Sequence, residues 1–176
     1  MSKQDEFMKL FSPVKQNFWR YCMSLERNSQ SAKDLFQSTI ERVYGKFESV
    51  RSRAAFLSYL FTTAWRLHKQ DQVKNSRFVS IEDMAGFDAR DPREADSAAD
   101  VETLYAAMKL LPEEQRQCIM LFEIVGFSQK EVCEILNITP GALKMRLKRG
   151  KDKLREILRE DEPKSELFPI RIGMEN

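Results

Sequence analysis

A single histidine, His68, is the only imidazole in this 176-residue chain. That is too little for a histidine-based metal centre or a nucleophile–base triad. The three cysteines, Cys22, Cys118 and Cys133, are odd in number, widely spaced and set in apolar helical contexts. They read as small buried hydrophobes of a reducing, cytoplasmic compartment, not as a disulfide framework or a zinc site. No stretch approaches the roughly 18 uninterrupted apolar residues of a membrane span, and no apolar run follows the opening MSKQDEF, so neither an anchor nor a secretion signal is expected. Glycines and prolines are few and fall at breaks between patterned segments. No period-two alternation is long enough for a sheet. The expected class is all-α.

Charge of one sign is also missing overall, because the net value is only +2. Its distribution is uneven. Residues 1–79 carry 14 Lys/Arg against 7 Asp/Glu, whereas residues 80–100 carry 2 against 7. Residues 101–160 carry 11 against 9, and 161–176 carry 2 against 4. Two basic blocks flank an acidic connector, SIEDMAGFDARDPREADSAAD, which is poor in surface to bury and reads as a flexible linker. The expected organisation is two small helical domains, 1–79 and 101–160, a linker at 80–100 and a tail at 161–176. The linker carboxylates are irregularly spaced, so they do not suggest a held two-metal site.

Apolar spacing predicts a first helix over 4–25, with Pro13 as a kink or split. A second is predicted over 31–47, capped by Ser31, and a third over 54–75 after a polar loop at 48–53. In the second block a helix is expected over 101–110. Another is opened by Pro112, with Glu113 and Glu114 complementing its dipole, and ends at Gly126.

The most informative stretch is GFSQKEVCEILNITPGALKMRLKRGKDKLREIL, residues 126–158. Ser128 and Glu131 have the spacing of a capping box. Val132, Ile135 and Leu136 supply one buried face. Asn137 stands where the chain must turn, and Asn tolerates positive φ. Thr139 can cap a second helix that starts with Pro140. Leu143, Leu147, Leu154 and Leu158 dock that helix, and between Thr139 and Arg159 eight cations face only Asp152 and Glu156. This is the pattern of a helix-turn-helix whose second helix meets a polyanion. Thr139, Pro140, Gly141, Lys144 and Met145 lie near its start, and Arg146, Lys148, Arg149 and Lys151 follow.

A second basic region interleaves rings with cations. Tyr44, Phe47, Phe56, Tyr59, Phe61 and Trp65 run alongside Arg51, Arg53, Arg66 and Lys69. Cations track phosphates, and flat rings accept bases taken out of the stack, so the region suits single-stranded nucleic acid. Phe56 and Phe61 fall on the packed stripe and belong to the core. Tyr59, Trp65, Arg66 and Lys69 can lie off it. Aromatics filling a small helical core remain the alternative reading.

Together these features resemble a sigma-70 family RNA polymerase sigma factor of the small extracytoplasmic-function (ECF) group, over roughly residues 4–160. LPEEQRQCIMLFEIVGFSQKEVCEILNITPGALKMRLKRGKDKLRE is similar to that family's region 4. AKDLFQSTIERVYGKF and FLSYLFTTAWRLHKQ resemble two segments of its region 2. Ser38, Tyr44, Trp65-Arg66 and Phe122 depart from the usual residues. The region 4 pattern is shared with LuxR-type regulators, so a stand-alone helix-turn-helix regulator is the alternative that only the N-terminal half separates. The resemblance implies a non-enzymatic subunit without a cofactor. Its partners are core RNA polymerase through the β′ clamp and β flap, promoter DNA both double-stranded and melted, and an anti-sigma factor. By the same resemblance Asp34, Leu35, Gln37, Glu41 and Arg42 form an exposed face on the clamp. Arg51, Arg53, Tyr59, Trp65, Arg66 and Lys69 handle the −10 element. At the −35 element Thr139, Pro140, Gly141, Lys144 and Met145 reach base edges, Lys144 as the candidate guanine contact, and Arg146, Lys148, Arg149 and Lys151 are candidate phosphate contacts.

Overall fold

Side-chain caps decide where most of the helices begin. The computed structural model describes residues 1–50, 52–75 and 98–159, with side chains of the last segment from residue 101. The chain divides into two compact units, Met1–Gly86 and Phe87–Asn176. All regular structure among the described residues is helical. Arg51, most of the acidic connector and the tail lie outside the described residues.

In the first unit, the Asp5 N–H donates to Ser2 Oγ at 3.2 Å and the Ser2 N–H to Asp5 Oδ2 at 3.0 Å, a reciprocal cap that starts α1 (Lys3–Phe11). Pro13 then sits in a 3-10 turn, Ser12–Val14, and α2 runs Lys15–Leu25. The single helix expected over 4–25 is therefore split at the proline, which has no N–H for the ladder. Helix α3 (Ser29–Gly45) is capped by Asn28, whose Oδ1 accepts the Ser31 N–H at 2.8 Å. This corrects the expected cap: Ser31 is the donor inside the first turn, and Asn28, an equally capable capping residue, stands at the extended position that starts the helix. After a 3-10 turn at Phe47–Ser49, α4 (Arg53–Asn75) starts where Ser52 Oγ accepts the Ala55 N–H at 3.1 Å.

These four helices close on a core of rings. The Phe7 ring lies 5.2–5.5 Å from those of Phe11, Tyr44, Phe47 and Phe56, and Phe18 lies 5.3 Å edge-on to Phe61. Each such pair contributes about 0.5–1.5 kcal/mol beyond the area it buries. Phe56 and Phe61 are fully buried, as the stripe predicts. His68 is buried as well, and its Nδ1 lies 2.8 Å from Glu26 Oε1, tying α4 to the residue that ends α2.

In the second unit, α5 (Ala98–Lys109) begins three residues inside the segment expected to be linker. Helix α6 (Glu113–Ile119) has Pro112 one position before it. The Arg116 guanidinium donates to the carbonyls of Leu111 at 3.2 Å and Lys109 at 3.5 Å, closing the turn between the two helices. Met120–Val125 winds on as a π-helical turn. It ends at Gly126, where φ is +91° and the N–H reaches Leu121 O at 3.1 Å. That left-handed residue favours glycine. The expected capping box of α7 (Gln129–Leu136) is present: Glu131 N–H donates to Ser128 Oγ at 3.2 Å and Ser128 N–H to Glu131 Oε2 at 2.8 Å. Asn137 takes φ +54°, and Thr139 Oγ1 accepts the Ala142 N–H at 3.2 Å to start α8 (Pro140–Arg159).

Helix α8 packs on α5, α6 and α7. Leu143, Leu147 and Leu154 are buried, while Leu158 is half-buried. Gly150 is buried with them, and a Cβ there would meet Ile119 Cδ1 at 2.8 Å and Gln115 Cβ at 3.2 Å. The two helices approach so closely because this residue has no side chain.

Candidate nucleic-acid and polymerase interfaces

The docking of α8 sorts its cations. With Leu143, Leu147, Gly150 and Leu154 turned inward, Thr139, Pro140, Gly141, Lys144, Met145, Lys148 and Arg149 are left exposed. Counted from Gly141, Lys144, Met145, Lys148 and Arg149 lie at i+3, i+4, i+7 and i+8, one outward strip over the first turns. Among the described residues, Lys144, Lys148 and Arg149 enter no ion pair. Two other cations are turned back onto the domain. Arg146 NH2 lies 3.4 Å from Glu114 Oε2 at the start of α6, and Lys151 pairs with Glu123 in the π-helical turn. Arg146 and Lys151 are grouped with the phosphate contacts by resemblance; the structure gives them a second task, clamping α8 to α6 and the π-helical turn. Burial of the Cys118 thiol pushes its pKa up to about 11. Burial likewise raises Cys22, so these two thiols are unreactive packing groups.

On α4 the outward residues are fewer. Arg53 and Arg66 are exposed, while Tyr59, Trp65 and Lys69 are half-buried. Lys69 Nζ sits 4.5 Å from the centroid of the Trp65 ring, and the ring is tilted against His68 at 6.0 Å. The tryptophan is therefore held from below by His68, itself fixed by Glu26, and carries a cation at its face. That is a positioned ring with positive charge beside it, which suits an unstacked base and its phosphate. Arg51 lies outside the described residues. Lys3 reaches Glu48 at 3.4 Å and stands 4.8 Å over the Tyr44 ring, so α1 fastens the turn that precedes α4.

On α3, Asp34, Gln37, Glu41 and Arg42 are exposed on one side. Gln30 Nε2 donates to Asp34 Oδ1 at 3.0 Å. Leu35 is the exception to the expected face. It is 5% exposed and packs inward, one residue round the helix from Asp34, so it positions the surface without belonging to it. Three groups that shape these sites escaped the sequence reading: the Glu26–His68 pair, Gly150 and the acidic partners of Arg146 and Lys151. Only Gly150 carried a signal, as a lone glycine inside a helical pattern.

Comparison with known proteins finds two family models, one in each unit. The family model for sigma-70 region 2 matches residues 10–78, and that for sigma-70 region 4 matches residues 102–154. The RNA polymerase sigma factor CarQ of Myxococcus xanthus is 30% identical over 161 residues, 89% of this chain and 91% of CarQ. The chain belongs to the sigma-70 family of RNA polymerase sigma factors.

This sigma factor is also similar to the ECF sigma factor EcfG of Rhodopseudomonas palustris, 28% identical over 78% of this chain and 77% of EcfG. Its fold is that of the sigma factor RpoE solved with the anti-sigma factor NepR from Bartonella quintana. The TM-score is 0.67 at 23% identity, with 89% of this chain and 99% of that one covered. CnrH, solved with the cytosolic domain of CnrY, gives a TM-score of 0.63 at 19% identity, over 90% of this chain and 91% of CnrH. As an ECF sigma factor the chain binds core RNA polymerase and promoter DNA and directs transcription initiation. The region 2 match separates it from a stand-alone helix-turn-helix regulator, which the region 4 pattern alone would have allowed. No described helix is long and apolar enough to cross a membrane.

Proposed function

We propose that the two units of this sigma factor divide the promoter between them, with α8 reading the −35 duplex and α4 holding the melted −10 strand. The exposed strip Gly141, Lys144, Met145, Lys148 and Arg149, left outward by the buried leucines, carries the first assignment. Lys144 donates to a guanine edge, and Lys148 and Arg149 neutralise phosphates. Arg146 and Lys151 hold the helix at its angle and reach phosphates only from its flank. Pro140 and Gly141 offer little side-chain readout, so backbone contacts and DNA shape supply part of the specificity.

In the first unit, Trp65 receives an unstacked base, with Lys69 and Arg66 on the adjoining phosphates. Arg53 and Tyr59 line the approach, and Arg51, outside the described residues, is assigned to the same strand by its place in the sequence. Unstacking costs a few kcal/mol per step and base–aromatic stacking returns about 1–3 per base, so strand capture can favour opening without nucleotide hydrolysis. Asp34, Gln37, Glu41 and Arg42 dock on the β′ clamp of core polymerase, and the second unit meets the β flap. The acidic residues 80–100, 7 Asp/Glu against 2 Arg, suit passage along a basic nucleic-acid channel. Polymerisation chemistry belongs to the core enzyme, and the chain works in the cytoplasm, where an anti-sigma factor restrains it.

In vitro transcription with core polymerase on a random promoter library tests the assignment. Selected promoters are expected to show two separated sequence blocks. Lys144→Ala should blur the upstream block alone. Loss of both blocks together, or initiation from only one, contradicts the division.

A further inference from the structure

Every other large apolar side chain in the first half of α8 is turned inward: Leu143 is fully buried and Leu147 is 7% exposed. Met145 is 52% exposed, in the middle of the strip formed by Lys144, Lys148 and Arg149. One turn before it stands Gly141, where a Cβ would find no atom within 4 Å. Helical side chains lean toward the N-terminus, so Met145 extends toward a turn where Gly141 supplies no side chain to cover it. The result is a small apolar surface with cations on both sides, at the end of the helix that reaches base edges.

The chemistry of the major groove narrows what such a surface can meet. Base edges there present hydrogen-bond donors and acceptors, and one apolar group, the C5-methyl of thymine. A thioether offers no strong hydrogen bond but is flexible and polarizable, and it adapts to a methyl group. We propose that Met145, left uncovered one turn after Gly141, reads the C5-methyl of a thymine in the −35 element and makes that base pair a specificity position of this sigma factor. The neighbouring cations set its depth: Lys148 and Arg149 on phosphates hold α8 in the groove, and Lys144 engages the adjoining base pair. The inference rests on the assignment of α8 to the −35 duplex.

The test replaces each −35 thymine of a library-selected promoter, one at a time, with deoxyuridine, which removes only the methyl group. Holoenzyme binding is measured for the unsubstituted chain, Met145→Ala and Met145→Leu. At one thymine the unsubstituted chain is expected to lose about fourfold in affinity, the factor that burying one methyl group supplies. Met145→Ala should bind thymine and uracil equally there, Met145→Leu should keep the preference, and all three should retain the same sensitivity to the base pair read by Lys144. An exposed residue gives the variants no reason to misfold, and equal melting temperatures verify this. If base-pair changes across the −35 element weaken binding but no uracil does, or if Met145→Ala keeps the uracil effect, the proposal is overturned and the −35 assignment stands. If base-pair changes there have no effect either, the −35 assignment falls and takes the proposal with it.

Discussion

The two units bury different chemistry, and this decides how easily their working surfaces can be recognised. The first unit fills its core with rings: Phe7, Phe11, Phe18, Phe47, Phe56 and Phe61 are all buried. Its candidate base platforms are also rings, so residue type does not distinguish core from site. The second unit is filled mainly by aliphatic groups, Ile119, Leu121, Val132, Ile135, Leu143 and Leu154. Its site is cationic, and cations do not enter such a core unpaired. There the sequence separates inside from outside, and the remaining ambiguity is which cations face DNA and which face the protein's own carboxylates.

The largest expected effect probes the ring core. Phe7→Ala removes a side chain in contact with four other rings and should cost about 3–5 kcal/mol. Both tryptophans, Trp19 and Trp65, lie in the first unit, so tryptophan fluorescence during denaturant unfolding reads it selectively. Gly150→Val, its counterpart in the second unit, should cost about 1–3 kcal/mol through overpacking against Ile119 and Gln115. It should shift the circular-dichroism transition and leave the fluorescence midpoint in place. An equal shift in fluorescence would dissolve the comparison.

At the interfaces, Lys144→Ala should weaken −35 duplex binding by about 1–3 kcal/mol on the preferred sequence and much less on others. Equal loss on every sequence would reduce Lys144 to a phosphate contact. Trp65→Ala should lose about 1–3 kcal/mol of open-complex stability while closed-complex binding is unchanged, as permanganate reactivity of the −10 strand would report. Unchanged opening with a lower fluorescence midpoint would return Trp65 to the ring core. The smallest effects separate the two kinds of cation. Lys148→Ala should reduce the slope of log affinity against log salt by about 0.9. Arg146→Ala should reduce the slope by less than Lys148→Ala does and cost about 0.2–1 kcal/mol of folding stability, with Glu114→Arg/Arg146→Glu restoring the stability.

Local signals made much of the fold readable in advance. Ser128 with Glu131, Asn137 at positive φ and Thr139 before Pro140 are each decided within four residues, and all three appear as expected. Asn28 displaced Ser31 as a cap because two capable residues stood close together and only backbone geometry chose between them. The N-terminal extension of α5 into the acidic segment had no marker, since small and acidic residues occur in linkers and first turns alike. The clamping of Arg146 and Lys151 joins residues 28 or more positions apart, which no short-range pattern can report. Leu35 shows the converse: its apolar nature already argued for the core, and the resemblance to a docking segment had placed it on the surface.

The central claim is that the two units read different parts of one promoter, and a single holoenzyme measurement bears on it most directly. Open-complex formation on a library-selected promoter would be followed for Lys144→Ala and Trp65→Ala, with the −35 and −10 elements mutated in turn. The account expects Lys144→Ala to lose its effect once the −35 element is scrambled and to keep it when the −10 element is, with Trp65→Ala showing the reverse. Two variants that respond identically to both scrambled elements would contradict it.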